Sequence, residues 1–189
     1  IHNWHTTQLD YVLAFPQAPV EREIYMTIPK GFEIEEGENE DYVLQLHRNV
    51  YGQKQAGRVW NQHLTKILIE KVGFEQSKVD DCVFYKGQVM YVLYTDDSIL
   101  AGPDPKEIDQ VIEDMKKAKL DITIEGDLQD FLGVNIERKE DGTIHLTQPH
   151  LIDQILEDLR LDQDHVKEKT TPASSSRLLS RHSDSEPFD

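Results

Sequence analysis

Apolar residues recur at helical spacing in three segments of the chain. The first stripe predicts a helix over residues 57–72, which ends at Gly73 as a left-handed cap. Its members are Trp60, Leu64, Ile67 and Leu68. The second helix begins at Pro105, where Asp104 can cap and Glu107 completes a capping box. Its buried stripe is Ile108, Val111, Ile112 and Met115, and a last helix carries Leu151, Ile152, Ile155, Leu156 and Leu159.

Short apolar runs bounded by turn residues predict the strands. Residues 8–15 alternate weakly and predict a strand that stops at Pro16, where a backbone donor is lost. Residues 89–102 predict an apolar hairpin, interrupted only at 95–98. Further strands are predicted over residues 42–46, 82–85 and 121–124, and a hairpin over 131–136 and 143–147 that turns at Asp141-Gly142.

This order of elements predicts an α+β fold. Without the Pro-rich arm and the C-terminal tail, it approximates a split βαβ arrangement, an antiparallel sheet with two helices on one face.

Composition limits the class of protein. The 189 residues and their 38% hydrophobic content allow a sizeable core, and the single cysteine, Cys82, excludes an internal disulfide framework or thiolate zinc site. The longest apolar run, residues 89–94, is far shorter than a membrane span. We therefore expect an intracellular protein, cytoplasmic or nuclear, without a membrane partner.

The formal net charge of -16 argues against binding of nucleic acid, but the acidic residues are clustered. Residues 33–41 form an acidic run typical of a solvated loop, whereas residues 42–69 contain no acid. That second window carries Arg48, Lys54, Arg58 and Lys66. It predicts either a basic surface for a nucleic-acid backbone or an ordinary helix with basic residues.

Asp96 and Asp97 lie at the tip of the predicted apolar hairpin. Turn propensity alone accounts for Asp there, so a plain β-turn is the alternative. Asp80-Asp81 is also an acidic pair, but it has an apolar run on one side only and is interpreted as structural. Two strands would nevertheless hold both carboxylates at one point. Asp10, an acid inside an apolar strand, is the best candidate for a third, with an edge-strand acid facing water as the alternative.

Three carboxylates at one point suit the binding of two Mg²⁺ ions, because Mg²⁺ prefers oxygen ligands and keeps several waters. Two such ions support in-line attack of a 3′-hydroxyl on an α-phosphate.

Four ordered blocks resemble Ty1/copia-type retrotransposon reverse transcriptases. The chain reads QLDYVLAF at residues 8–15, like the family's opening palm strand. It reads EIYM at 23–26 and PKGF at 29–32, like the arm that follows. It then reads VYGQKQAGRVW at residues 50–60, like LYGLKQAPRxW, YTDD at 94–97, like YVDD, and FLGV at 131–134, like FLGI. Gln53, Gly57 and Thr95 depart from the family residues Leu, Pro and Val.

The resemblance implies an RNA-directed DNA polymerase, a nucleotidyltransferase with a palm, partial fingers and the start of a thumb. It implies metal ligation by Asp10, Asp96 and Asp97, with Asp97 the less direct ligand, and two Mg²⁺ ions that Mn²⁺ can replace. Phe15 would be an aromatic gate under the incoming sugar. The implied substrate-binding residues are Phe15, Gln53, Lys54, Gln55, Arg58, Tyr94 and Thr95, and the implied primer grip is Phe131, Leu132 and Gly133.

It also implies a domain plan. Residues 1–125 would form the palm with partial fingers, comprising the arm 16–50, the helix 57–72 and the YxDD hairpin 89–102. Residues 126–165 would form the primer-grip hairpin and a thumb-like helix, and residues 166–189 a linker or truncated tail. The partners would be dNTPs, an RNA or DNA template with its primer, and the fingers, connection and RNase H parts of a Pol polyprotein.

Three other interpretations remain open. The chain could be a catalytically inactive, nucleic-acid-binding remnant of such a polymerase. A nucleotide cyclase also uses a split βαβ sheet with paired metals, although the block at residues 50–60 disfavours it. An acidic module that binds divalent ions without nucleic acid is disfavoured by the acid-free window 42–69.

Overall fold

The computed structural model describes residues 4–32 and 42–161. The chain divides into two compact units, residues 1–147 and residues 148–189. The predicted acidic loop at 33–41 and tail at 166–189 lie outside the described residues. In chain order the elements are β1 (His5–Tyr11), α1 (Ala14–Gln17), β2 (Pro19–Thr27), β3 (Val43–Arg48), α2 (Ala56–Ile67), β4 (Glu75–Gln76), β5 (Val83–Lys86), β6 (Val89–Tyr94), β7 (Asp97–Gly102), α3 (Pro105–Lys117), β8 (Ile122–Gly126), β9 (Asp130–Phe131), β10 (Val134–Arg138), β11 (Ile144–Thr147) and α4 (Pro149–Asp158).

A six-stranded sheet organises the first unit. Its strand order is β4-β5-β6-β7-β1-β8, and every neighbouring pair is antiparallel. β2 pairs with β3, and β9 to β11 form a small three-stranded sheet. The predicted α+β class with antiparallel sheets is therefore confirmed.

One face of the main sheet and the helices α2 and α3 share a single core. On β6 the alternate residues Val89, Tyr91 and Leu93 are buried, as period-two packing requires. The hydroxyl groups of Tyr91 and Tyr11 of β1 form a buried hydrogen bond, with their oxygen atoms 2.7 Å apart. Burial raises the pKa of both phenols, which keeps them neutral within this core.

Both predicted helices of this core are confirmed. The stripe from Trp60 to Leu68 is buried, and the helix extends beyond α2 as a π-helical turn over Leu68–Val72, ending at Gly73 with φ 85°. Asp104 caps α3 by accepting a hydrogen bond from the Lys106 backbone N–H at 2.9 Å.

The predicted strand over residues 8–15 is wrong at its end. β1 finishes at Tyr11, Leu13 adopts a left-handed φ of 50°, and Ala14–Gln17 form one helical turn. Pro16 fits that turn because the first residues of a helix need no backbone donor. A tertiary contact holds the turn, since Gln17 Nε2 donates to Val12 O at 2.8 Å and to Asp121 O at 2.9 Å.

The two predicted hairpins are present with shifted bounds. β7 already begins at Asp97, so only Thr95 and Asp96 form the first turn. In the C-terminal hairpin β10 and β11 flank Gly142, which has φ 83°.

An ion pair ties β5 to α3. Lys86 Nζ lies 2.8 Å from Asp114 Oδ2, with both side chains less than one-third exposed. Gln110 Nε2 also donates to Asp114, at 2.9 Å. The hydrogen bond from Lys86 is the main cause that lowers the pKa of Asp114 from its ordinary value of 3.8.

We expect Asp114→Asn to lower the free energy of unfolding near neutral pH by about 1 kcal/mol. Because the folded-state pKa is depressed, this stabilisation is complete above the unfolded pKa and is lost as pH falls through the folded value. The difference from wild type should therefore shrink below about pH 4. Urea unfolding across pH measures it, with Glu113→Gln as the control because its pair with Lys116 is more exposed. A pH-independent difference, or an equal loss in the control, would contradict the prediction.

The second unit is described through residue 161 and contains α4. Four members of the predicted apolar stripe lie on this helix, Leu159 follows it as the C-cap, and all five are exposed. Separately, among the described residues, the structure has no helix both long and apolar enough to cross a membrane.

Candidate active site

Four residues form a row across the face of the main sheet that lies opposite the helices. Tyr94 of β6 stands opposite Asp97 of β7, Asp97 opposite Asp10 of β1, and Asp10 opposite Thr123 of β8. Directly opposite residues project from the same face, so Tyr94, Asp97 and Asp10 are neighbours. Their sequence neighbours Leu93, Ser98 and Leu9 are buried on the core face.

The backbone register brings the two carboxylates of this row close together. Tyr11 N donates to Asp96 O at 3.2 Å, which makes Tyr11 and Asp96 a hydrogen-bonded pair. The adjacent pair, Asp10 and Asp97, is then non-hydrogen-bonded, the type in which Cα atoms lie about 4.5 Å apart and side chains are closest. Two like charges at this position repel each other unless a cation lies between them.

The electrostatics of Asp97 reflect this crowding. Burial raises its pKa first, and the nearby carboxylates of Asp96, Asp10 and Asp130 raise it further. The charges of the predicted carboxylates Asp10 and Asp96 thus both act on Asp97. Within residues 4–32 and 42–161, no three His, Cys, Asp or Glu side chains are already arranged around a metal position.

Trp60 holds the turn that carries Asp96. Its indole Nε1 donates to the Thr95 carbonyl oxygen at 2.7 Å, and only 1% of the residue is exposed. Its ring packs edge-on against Tyr11, with centroids 5.0 Å apart. Thr95 has φ 57°, a left-handed conformation that favours glycine. The hydrogen bond from Trp60 therefore helps to hold the turn in an unfavourable backbone conformation. The sequence pattern predicts Trp60 only as a core residue of α2.

Phe15 lies beside Tyr51, a residue to which the sequence assigns no separate role. Their ring centroids are 4.5 Å apart with an interplanar angle of 37°. Burial raises the pKa of Tyr51, and the charges of Asp96 and Asp10 raise it further, so this phenol lies within electrostatic range of both carboxylates. Only the position of Tyr51 inside the block 50–60 could have drawn attention to it.

Hydrogen bonds fix the loop that presents Phe15. Asn49 is fully buried, and its Nδ2 donates to Ala18 O at 3.1 Å and Pro19 O at 2.9 Å. Gln17, as described above, binds the backbone on the other side of the turn. The position of Phe15 is therefore set by contacts of its loop with two distant parts of the chain, at Asn49 and Asp121.

The predicted substrate-binding residues 53–58 do not all lie in one place. Gln53 Oε1 accepts a hydrogen bond from the Val50 backbone N–H at 3.2 Å, so this side chain lies within its own turn. Gln53 Nε2 is buried without a hydrogen-bond partner among the described residues. Lys54, Gln55 and Arg58 instead line a cavity of about 580 Å³ together with residues of β2.

The predicted primer-grip residues form a tight turn in the small sheet. Phe131 pairs with Val134, leaving Leu132 and Gly133 as the two turn residues, with φ 52° and 77°. Two consecutive positive φ values are typical of a type I′ hairpin turn. Asp130, which precedes this turn, contributes to the raised pKa of Asp97, so the start of the small sheet lies near the carboxylates.

Comparison with known proteins identifies the family. A family model described as reverse transcriptase (RNA-dependent DNA polymerase) matches residues 1–174. The chain is 31% identical over 185 residues to a retrovirus-related Pol polyprotein from transposon RE1 of Arabidopsis thaliana, covering 96% of the chain and 12% of that protein. It is 32% identical over 145 residues to a putative transposon Ty5-1 protein of Saccharomyces cerevisiae, covering 74% of the chain and 45% of that protein.

A third relative is a transposon Ty1-DR1 Gag-Pol polyprotein of Saccharomyces cerevisiae, 29% identical over 202 residues, with 89% of the chain and 11% of the relative covered. The chain thus spans less than half the length of these three relatives. No solved structure matches the chain. The resemblance to Ty1/copia-type Pol polyproteins is confirmed, and the chain belongs to the reverse transcriptase family.

Proposed function

We propose that the first unit contains a polymerase palm that supports RNA-directed DNA synthesis onto a primer 3′-hydroxyl. The observation that carries the proposal is the pairing of Asp10 with Asp97 beside the Asp96 turn, on the open face of the sheet. The strand order supports it. β6, β7, β1 and β8 are adjacent, α2 lies between β1 and β6 in sequence, and α3 lies between β7 and β8. This order supports the expected split βαβ arrangement.

The donor atoms at this site suit Mg²⁺. Asp10, Asp96 and Asp97 supply only oxygen ligands, and the mutual repulsion of their charges favours a bound cation. When bound, a pair of such ions lowers the pKa of the attacking hydroxyl and neutralises charge on the leaving pyrophosphate. Within the protein, Asp10, Asp96 and Asp97 would hold the ions, and Trp60 would keep the Asp96 turn in place.

The other residues of the site would position the substrate. Phe15 would contact the incoming nucleotide at its sugar, and Tyr51 would support it through the contact between their rings. The turn at Leu132-Gly133 would contact the primer. Lys54 and Arg58 would contact phosphates, because both are exposed cations, Lys54 just before α2 and Arg58 in its first turn.

Primer extension on an RNA template tests the proposal. An incoming triphosphate brings about four negative charges to three carboxylates, and two Mg²⁺ ions offset only about four of the total. We therefore expect little extension by the 189-residue chain alone, and clear Mg²⁺-dependent extension by a longer chain that adds a basic fingers segment before it. Template binding without extension by the longer chain would favour the inactive remnant instead.

Phe15→Val is expected to admit ribonucleotides. An aromatic ring under the sugar excludes a 2′-hydroxyl, and valine would vacate that space. Incorporation of a ribonucleotide relative to its deoxynucleotide, measured on the longer chain, should rise by about tenfold or more, since excluding a group of this size is worth about 1–3 kcal/mol.

Tyr51→Phe is the matched control because it retains the ring beside Phe15, so its preference should stay near wild type. If Phe15 is only a packing residue, its replacement costs about 1–3 kcal/mol of stability and leaves the nucleotide preference unchanged. That outcome would remove Phe15 from the site.

A further inference from the structure

The cavity between β2 and the start of α2 combines three cationic side chains with one carboxylate. It has a volume of about 580 Å³, and its lining residues are Glu21, Arg22, Ile24, Lys54, Gln55 and Arg58. In a chain with a net charge of -16, such a local excess of positive charge is suited to an anionic ligand.

The carboxylate in this cavity, that of Glu21, forms an ion pair with Arg58. Arg58 Nη2 lies 2.5 Å from Glu21 Oε2, and Nη1 donates to Glu21 Oε1 at 3.3 Å. These two N–H···O contacts use the same guanidinium fork that arginine presents to a phosphate group. Glu21 belongs to β2, so a cation of the acid-free window at 42–69 is paired with a carboxylate from another part of the chain.

Two features make this contact exchangeable. Both side chains are well exposed, at 53% for Arg58 and 41% for Glu21, and exposed ion pairs of this kind contribute little net stability. Glu21 also lies between Pro19 and Ile24, where the register of β2 against β3 shifts. Such an irregularity leaves residues outside the regular ladder and turns their side chains.

Arg58 would stay in place if Glu21 withdrew. Its Nη1 also donates to Gln62 Oε1 at 3.0 Å, one turn further along α2. Lys54 and Arg22 line the same cavity and would face the same incoming anion.

We propose that Glu21 is an intramolecular competitor for a phosphate-binding site formed by Arg58, Lys54 and Arg22. A phosphate group of nucleic acid or of a nucleotide displaces the Glu21 carboxylate from Arg58 and takes over its hydrogen bonds. The proposal rests on the proposed function for the identity of the ligand, and it assigns to β2 a role in limiting affinity.

Binding experiments on the full chain test this competition without requiring catalysis. The probes are a fluorescent RNA–DNA hybrid and, separately, dATP, both without divalent metal. Glu21→Gln is expected to bind its probe about three- to tenfold more tightly at low salt, because the competing carboxylate and its repulsion of phosphate are both removed. A gain on the hybrid assigns the site to the nucleic-acid backbone, and a gain on dATP alone assigns it to the nucleotide.

Glu23→Gln is the matched control. It makes the same change of charge two residues along β2, and Glu23 accepts a hydrogen bond from Tyr25 rather than from Arg58. Its effect should be smaller than that of Glu21→Gln. In an Arg58→Gln background the gain from Glu21→Gln should disappear, because the two residues act through one contact.

Equal effects of Glu21→Gln and Glu23→Gln would overturn the proposal, as would weaker binding by Glu21→Gln or a gain that persists without Arg58. Binding of neither probe by any variant would also overturn it. Thermal unfolding confirms that each variant is folded. A failure of primer extension, by contrast, would count against the proposed function and leave this binding comparison intact.

Discussion

Asp10→Asn and Asp96→Asn are each expected to reduce nucleotide addition by about a thousandfold in an Mg²⁺-dependent extension assay on the longer chain. Under the proposed function each change would remove a charged metal ligand, and losing one element of preorganised charge stabilisation typically costs a factor of 10² to 10³. Neither residue belongs to the buried core. The loss should therefore appear in the rate and not in the amount of folded protein.

The same substitutions should leave stability unchanged or raise it. Asp10 and Asp97 are cross-strand neighbours, and Asp96 adds a third negative charge beside them. In the absence of metal, neutralising one of the three relieves repulsion, so the melting temperature should not fall.

Asp81→Asn is the control, since it alters the other acidic pair, away from the carboxylate row. It should retain wild-type activity. Near-normal extension by Asp96→Asn at matched Mg²⁺ would contradict the assignment of the site.

Trp60→Ala is expected to cost about 3–5 kcal/mol of unfolding free energy, as is usual for truncating a buried aromatic residue. Trp60→Phe should cost less, because it keeps most of the packing against Tyr11, but it leaves the Thr95 carbonyl without the indole donor. Losing that hydrogen bond costs about 1 kcal/mol, because the contact is only partly buried and Thr95 is exposed. Urea unfolding of both variants measures these values.

Trp60 should also act on the reaction through the turn, as a positioning residue. Small displacements of groups that position reactants can lower rates about a hundredfold, so Trp60→Phe should lower kcat for extension with little change in KM for the nucleotide. Leu64→Ala is the matched control. It truncates another fully buried residue of α2, so it should destabilise the fold and leave kcat near wild type in the folded fraction. An equal fall in kcat for both variants would reduce Trp60 to a core residue.

Local patterns in the sequence determined the helices and the position of the acidic turn. The stripe from Trp60 to Leu68 and the cap at Asp104 act over one to three helical turns, so periodicity and capping chemistry suffice to predict them. Asp96 and Asp97 follow an apolar strand directly, and the two-strand hairpin places them at its end whatever the rest of the fold does.

Only the tertiary structure decided which distant residues meet at the site. Residues 12–17 turn away from the predicted strand because Gln17 binds the backbone at Asp121, a contact between segments far apart in the chain. Trp60 bonds to Thr95 across 35 positions of the sequence, and Glu21 bonds to Arg58 across 37. Side-chain periodicity carries no information about such partners, because it reports which face of an element is buried and not what lies against it. The sequence therefore determined the family motifs and the local elements, whereas the packing of α2 and β2 decided what supports the turn and what occupies the basic surface.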